Sequence, residues 1–223
     1  MSKILRLGKI KLTLVSALDF SYLCSMELRN IVFDLGGVVF ARDPKKCSED
    51  FISFFSFILA PEMPSFWQEY DRGTLTLDEV KAELCAYKGC DMAVCDEYVA
   101  TAIAMQEEIS ATKTLIEELK AAGYDLYVLS NMSREFISFL RKFPVYRNFR
   151  GDVISCEVHA VKPEPEIYKI LLSKFGIKPS ETLFIDDRRA NTDTAASLGI
   201  STFLFDHRNP EKSCDDLRKL LLG

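Results

Sequence analysis

Long hydrophobic runs are missing from this sequence. Its greasiest stretch, Phe51 to Ala60 (FISFFSFILA), ends after ten residues, well short of the roughly 18–20 that a membrane-spanning helix needs. No membrane partner is expected. An excess of basic charge is also missing: 28 Lys and Arg stand against 33 Asp and Glu, for a net charge of −5. That balance removes the positive field on which nucleic-acid binders rely, so no nucleic-acid partner is expected. A small pocket for phosphate needs only local positive charge. Histidine is scarce, with His159 and His207 alone, and no Cys-x-x-Cys occurs. Internal repeats and low-complexity segments are absent, which excludes solenoids and disordered tracts.

The seven cysteines, Cys24, Cys47, Cys85, Cys90, Cys95, Cys156 and Cys214, form an odd and scattered set. Free thiols in a reducing compartment, the cytoplasm, are expected rather than a disulfide framework. Cys85, Cys90 and Cys95 are the one cluster in sequence. Steps of five on a helix turn each side chain by about 140°, and Gly89 interrupts the helix. The three are therefore expected to lie on different faces and to form no zinc site.

What is present is an ordinary globular balance: 223 residues, 48% hydrophobic and 27% charged. That fits one large domain or a domain with a modest insertion, able to bury a core without disulfides. At the N-terminus, Lys3, Arg6, Lys9 and Lys11 precede a short apolar run that faintly resembles a secretory signal. Asp19 interrupts that run, no small-x-small cleavage site follows, and Met26 stands just before the first strong strand. Residues 1–25 read as a dispensable extension.

Ile31 to Phe33 and Val38 to Phe40 flank a break at Asp34-Leu-Gly-Gly. Their continuous apolar character suggests a strand buried on both faces, as in a parallel sheet. Segments around 46–59, 64–71, 77–87 and 92–107 carry helical spacing, with no clear strand among them. Thr76-x-x-Glu79 has the form of a capping box. From Thr112 onward helices and strands alternate, with strands at 126–129, 153–155, 182–185 and 202–205 and a last helix at 210–222. The expected fold is α/β: a Rossmann-like, doubly wound parallel sheet with an inserted small all-helical unit. Residues 26–42 and 109–223 form the core and 43–108 the insertion.

In an open parallel sheet, ligands bind beyond the carboxyl ends of the strands. The polar residues there are Asp34, Ser130 with Asn131, Asp186 with Asp187, and, a few residues after the short strand, Lys162. Singly, an aspartate after a strand is a turn former or helix cap, and a lysine is a solvated surface residue. Jointly they place three carboxylates, a hydroxyl, an amide and an ammonium at one rim.

The order Asp34-Leu-Gly-Gly-Val-Val, LSN at 129–131, KPEPEIY at 162–168 and FIDDRRAN at 184–191 resembles the four motifs of the haloacid dehalogenase-like hydrolase superfamily. The resemblance spans about residues 28 to 206. It implies a helical cap inserted after the first motif. The stretch from Tyr70 to Val80 and the DLGG form are similar to the branch that holds α-D-glucose-1-phosphate phosphatases. By that resemblance Asp34 is the nucleophile of an Mg²⁺-dependent phosphatase and forms an aspartyl-phosphate. Asp34, the Gly36 carbonyl and Asp187 would hold Mg²⁺, with Asp186 acting through water or behind them. Lys162 would offset charge. Ser130 and the backbone N–H groups near Gly36, Gly37 and Asn131 would hold the phosphoryl oxygens. The implied partner is a small-molecule phosphate ester, plausibly a sugar phosphate.

One position departs from the superfamily's phosphatases. They carry a second aspartate two residues after the nucleophile as general acid and base, and here that position is Gly36. Either the leaving group needs little protonation, as at an anomeric oxygen, or another acid such as Asp43 or Glu69 stands in, or turnover is weak. The alternatives are a weakly active binding protein on this fold and a metal-free 2-haloacid dehalogenase. Trp67 reads as core, Arg72 as a surface or C-capping residue, and His159 and His207 as structural. The sequence sets no oligomeric state.

Overall fold

Alternation along one short strand explains how the molecule is layered. The computed structural model describes residues 28–60 and 63–223; the proposed extension lies outside the described residues. The strands are β1 (Asn30–Phe33), β2 (Phe40–Ala41), β3 (Glu107–Glu108), β4 (Asp125–Ser130), β5 (Gly151–Ile154), β6 (Thr182–Asp186) and β7 (Ser201–Leu204). Five of them form a parallel sheet in the order β5-β4-β1-β6-β7. In β1, Ile31 and Phe33 face one layer and Val32 the other, as the two-residue period of a strand requires. The first layer packs on Leu115, Ile116 and Leu119 of α5 (Ser110–Ala121) and on Leu217 of α10 (Pro210–Leu221). The second packs on Ile167, Tyr168 and Leu171 of α8 (Pro165–Phe175) and Ala195 of α9 (Arg189–Ser197). Each such apolar side chain taken fully from water contributes about 1.5–3 kcal/mol.

The expected continuation of the first strand through Val38–Phe40 does not occur. After Asp34 the chain folds back on itself: the N–H groups of Val38, Val39 and Phe40 all donate to the Leu35 carbonyl, and Gly37 adopts φ 75°. Phe40 and Ala41 then pair antiparallel with Glu108 and Glu107. The short strand at 107–108 lies where sequence periodicity extends a helix to 107. The two strands join the start and the end of the helical insertion.

Within the insertion lie α1 (Glu49–Phe54), α2 (Ser65–Arg72), α3 (Leu77–Lys88) and α4 (Met92–Ala104). The expected helix at 46–59 is broken. Ser48 caps α1, but Phe55 leaves helical geometry (φ −94°, ψ 9°) and a 3-10 turn follows. The Thr76/Glu79 capping box opens α3, with the Thr76 hydroxyl accepting from Glu79 N–H and the Glu79 carboxylate accepting from Thr76 N–H. Phe51, Phe55, Phe57, Trp67, Val80, Leu84 and Val99 form a separate apolar cluster, so Trp67 is core. Gly89 (φ 65°) ends α3 and lets α4 return beside it. This overturns the cysteine expectation, because Cys85, Cys90 and Cys95 then lie on three different pieces of backbone and their sulfurs gather within 4.8 Å of one another.

The C-terminal end of α2 docks on the core. Tyr70 donates to Glu135 of α6 (Arg134–Leu140) at 2.6 Å. Ser155, opening α7 (Ser155–Val158), donates to the Asp71 carbonyl at 2.5 Å. Arg72 is neither a free surface residue nor a cap: its two terminal nitrogens grip the Glu164 carboxylate at 2.9 and 2.7 Å. Gly73 has φ 79°, and a Cβ there would sit 2.5 Å from the Cys156 carbonyl. Both constraints are backbone constraints. Gly73→Ala is therefore expected to lower stability by more than about 1 kcal/mol, measured as a fall in the urea midpoint; an unchanged midpoint would contradict this docking.

Candidate active site

Because β1 is the central strand, the residue just past it is ringed by its neighbours. Asp34 extends the pairing by donating its N–H to the Ile185 carbonyl at 2.9 Å. Ser130 ends β4 and Asp186 ends β6, so both stand beside Asp34 at the carboxyl edge. Asp34 is 8% exposed, Ser130 1% and Asp186 0%.

Asp34 Oδ1 accepts from its neighbour Leu35 N–H at 2.7 Å, from Ser130 Oγ at 2.7 Å and from Lys162 Nζ at 2.9 Å. Lys162 Nζ also donates to Asp186 Oδ2 at 2.6 Å and to the Leu129 carbonyl at 3.0 Å. Its three ammonium protons thus have three partners. Asn131 lies behind it rather than facing outward. Its side chain accepts from Lys162 N–H at 2.7 Å and donates to the Lys162 carbonyl at 2.9 Å, which fixes where the lysine leaves the backbone. Asp186 is filled with donors: Lys162, the Arg188 N–H at 2.8 Å and Asn191 Nδ2 at 2.9 and 3.0 Å. It holds the lysine in place.

Asp187 closes the ring, with oxygens of Asp34, Asp186 and Asp187 within 4.8 Å of one another. A Cβ on Gly37 would lie 2.7 Å from Asp187 Oδ2, so only glycine permits this approach. Gly36 meets nothing within 4 Å where a side chain would begin. The glycine there is not imposed by lack of room.

The electrostatics follow from burial and crowding. Asp34 is pushed up to about 6, chiefly by burial; Lys162 opposes this, while Asp186 and Asp187 add to it. Asp187 is raised by burial and then by Asp186. Burial would lower Lys162, but Asp186 and Asp34 outweigh it and hold the ammonium protonated.

Three further residues reach this region. His207 has Nδ1 3.2 Å from Asp187 Oδ2, so it is not merely structural. Arg188 donates to the Ile58 carbonyl of the insertion at 2.7 Å. Asp71, on α2, has a desolvated carboxyl pushed up to about 7; burial is the main cause, Asp34 adds to it, and Arg188, the Ser133 backbone and Lys162 oppose it. The acids expected to stand in for Gly36 are engaged elsewhere. Asp43 caps a 3-10 turn by accepting from Lys45 N–H. Glu69 is held below the usual range by Thr74, then by Arg72. His159 sits in the left-handed region at the end of α7 with Nδ1 3.2 Å from the Arg72 carbonyl, a structural role.

Removing the lysine isolates the effect of the crowded carboxylates. Lys162→Met leaves Asp34 and Asp186 buried without their cation and is expected to lower stability at neutral pH by about 3–5 kcal/mol. The deficit should shrink as pH falls from 7.5 toward about 6, because without Lys162, which lowers it in the wild type, Asp34 takes up its proton already above about 6. Urea melts at pH 7.5 and 5 without divalent metal measure it; an equal deficit at both would refute the charge argument.

Known proteins resemble this chain in sequence and fold. The haloacid dehalogenase-like hydrolase family model matches residues 28–199. A D-ribitol-5-phosphate phosphatase of Bacteroides thetaiotaomicron is 27% identical over 204 residues, covering 84% of this chain and 94% of that protein. A sesquiterpene phosphatase of Aspergillus oryzae is 23% identical over 193 residues, covering 85% and 95%. Among solved structures, a HAD-like family hydrolase of Porphyromonas gingivalis superposes with a TM-score of 0.70 at 28% identity, over 88% of this chain and 99% of that one. A HAD family enzyme of Bacteroides thetaiotaomicron, in complex with magnesium and inorganic phosphate, superposes with a TM-score of 0.64 at 28% identity, over 81% and 95%. With its parallel sheet, its strand-end aspartates and a family match over most of its length, this chain belongs to the haloacid dehalogenase-like hydrolases.

Proposed function

We propose that this chain is an Mg²⁺-dependent phosphatase that hydrolyses a small polyol or sugar phosphate through Asp34. The observation that carries the reading is the state of the Asp34 carboxylate. Oδ1 is held by Leu35 N–H, Ser130 and Lys162, and among the described residues Oδ2 receives no hydrogen bond. A carboxylate pinned by one oxygen and free at the other is set to attack phosphorus.

The carboxylate ring fits the metal. Three acidic side chains converge within 4.8 Å around a single buried ammonium, an oxygen-rich and over-negative set suited to a hard divalent cation. Asp34, the Gly36 carbonyl and Asp187 would hold Mg²⁺, with Asp186 behind them. When bound, Mg²⁺ supplies the positive charge that admits a phosphate dianion among carboxylates. The converging Asp186 and Asp187 also weigh against a metal-free dehalogenase, which has little use for them.

In the first step the bond from Asp34 Oδ2 to phosphorus forms as the ester oxygen–phosphorus bond breaks, and the leaving alcohol oxygen takes a proton. Lys162 and the N–H groups of Gly36 and Asn131 balance the charge on the phosphoryl oxygens, while the Gly37 N–H is taken by the Phe40 carbonyl. We assign the proton to Asp71. Its carboxyl is desolvated and feels the charges of Asp34 and Lys162, and at about 7 it is protonated to a useful extent at neutral pH. In the second step water attacks phosphorus, its proton passes to the Asp71 carboxylate, and phosphate leaves Asp34. The helical insertion acts as a cap that excludes bulk water during transfer. The substrate class draws on the ribitol-5-phosphate phosphatase relative, whose match runs through the insertion as well as the core.

Phosphate release from a panel of pentitol 5-phosphates, aldose 1-phosphates and hexose 6-phosphates tests the reading. Release is expected with Mg²⁺, not with EDTA, and is expected to fall about 10³-fold or more in Asp34→Asn. Full activity in EDTA would exclude the metal, and full activity in Asp34→Asn would exclude the nucleophile.

Asp71 has its own test. Asp71→Asn is expected to lower kcat by about 10²–10⁴. In the wild type kcat should decline as pH rises through about 7, since the acid form is the productive one, and the variant should lose that decline. Because a side chain at 36 has room, adding Gly36→Asp should restore part of the loss in Asp71→Asn while changing the wild type little. Unaltered turnover in Asp71→Asn would rule this role out.

A further inference from the structure

Outside the site around Asp34, the described residues hold one other gathering of metal-ligating side chains, in the insertion. Cys85 lies on the last turn of α3, Cys90 directly follows Gly89, and Cys95 lies on α4. Cys95 is fully buried, while Cys85 and Cys90 are half-buried. The Cys85 and Cys95 sulfurs are 2.8 Å apart and those of Cys90 and Cys95 3.5 Å. A fourth sulfur is adjacent: Met92 Sδ stands 3.9 Å from Cys85 Sγ. The group contains no histidine and no carboxylate.

The geometry points to a thiophilic metal site in which Cys85, Cys90 and Cys95 bind one soft d¹⁰ ion, with Met92 favouring Cu(I) over Zn(II). The argument begins with ligand softness. Thiolate and thioether sulfurs select Cu(I), whereas zinc sites are completed by cysteine, histidine, carboxylate or water rather than by a thioether. Spacing agrees. Metal–sulfur bonds near 2.3 Å put two sulfurs on one ion about 3.5–4 Å apart. The Cys90–Cys95 and Cys85–Met92 separations already have that value, and half-buried Cys85 has only to swing away from Cys95.

The arrangement also suits a metal better than a redox pair. A disulfide would use two of these sulfurs and leave the convergence of Cys90 and Met92 unexplained. On binding, each ligating cysteine gives its proton to solvent and no electron is transferred. Access is available from the half-buried side, where Met92 is 45% exposed.

Titration of the full, reduced chain under anaerobic conditions tests the site, with Cu(I) and separately Zn(II) set against chromogenic chelators. One Cu(I) per chain is expected, bound more tightly than Zn(II). Cys90→Ser is expected to weaken Cu(I) at least tenfold, and Met92→Leu to narrow the preference for Cu(I) over Zn(II). Cys47→Ser, a cysteine of the insertion outside the cluster, should leave both unchanged. Cys90 follows a turn and is half-buried, so its variant keeps the fold, which far-UV circular dichroism verifies. Sub-stoichiometric uptake, Zn(II) bound as tightly as Cu(I), or an unchanged Cu(I) affinity in Cys90→Ser would overturn the proposal. The last result would identify the sulfurs as a simple thiol pair.

Discussion

Lys162 is the charge on which the carboxyl edge of the sheet depends. Burying one carboxylate is unfavourable, and burying three within a few ångströms is worse unless a cation stands among them. The lysine meets that need from the protein side. It does so only because β1, β4 and β6 lie side by side: Asp34, the Leu129 carbonyl and Asp186 each come from a different strand of that trio. A slip of one residue in register would turn Asp34 and its partners to opposite faces. The sheet's register and its charge balance are therefore one constraint. The residual negative charge is what suits the place to a divalent cation and a phosphate ester together.

The second dependence runs through the end of α2. Tyr70, Asp71, Arg72 and Gly73 are consecutive, and each is tied to the core by a different contact: a phenol on Glu135, a carbonyl on Ser155, a guanidinium on Glu164, and close backbone contact at Cys156. Asp71 lies between two anchored neighbours and its own carbonyl accepts from Ser155, so its backbone is fixed on the core. An acid missing from the first loop can be supplied by the insertion, provided the insertion is anchored where that acid sits.

Much of this was legible before the structure. The strand ends point to Asp34, Ser130, Asp186 and Asp187 because a parallel sheet concentrates polar residues there, and Lys162 follows the same logic. The sheet, the capping box at Thr76 and the burial of Trp67 follow from local pattern. What escaped reading depends on chain reversal. The loop after Asp34 reverses on the Leu35 carbonyl, so Val38–Phe40 belongs to a different sheet from Ile31–Phe33. Gly89 reverses the chain between two helices, so a spacing that separates three cysteines on one helix unites them across two. His207 lies outside the motifs, and Asp71, though within the Tyr70 to Val80 stretch, is on the insertion far from any strand end; tertiary packing brings both in. The Asn131 side chain turns inward to position a lysine, a contact that its place after a strand does not reveal.

The pairing of Phe40 and Ala41 with Glu108 and Glu107 has a consequence for how such proteins diversify. The chain enters and leaves the helical insertion at touching points, so the core experiences the insertion as a closed loop whose length costs only logarithmically, about 0.6 kcal/mol per doubling. Helices can then be lengthened, replaced or re-sequenced between those two points without moving a strand of the parallel sheet. The residues around Asp34 and the helices of the insertion are thereby free to evolve at different rates.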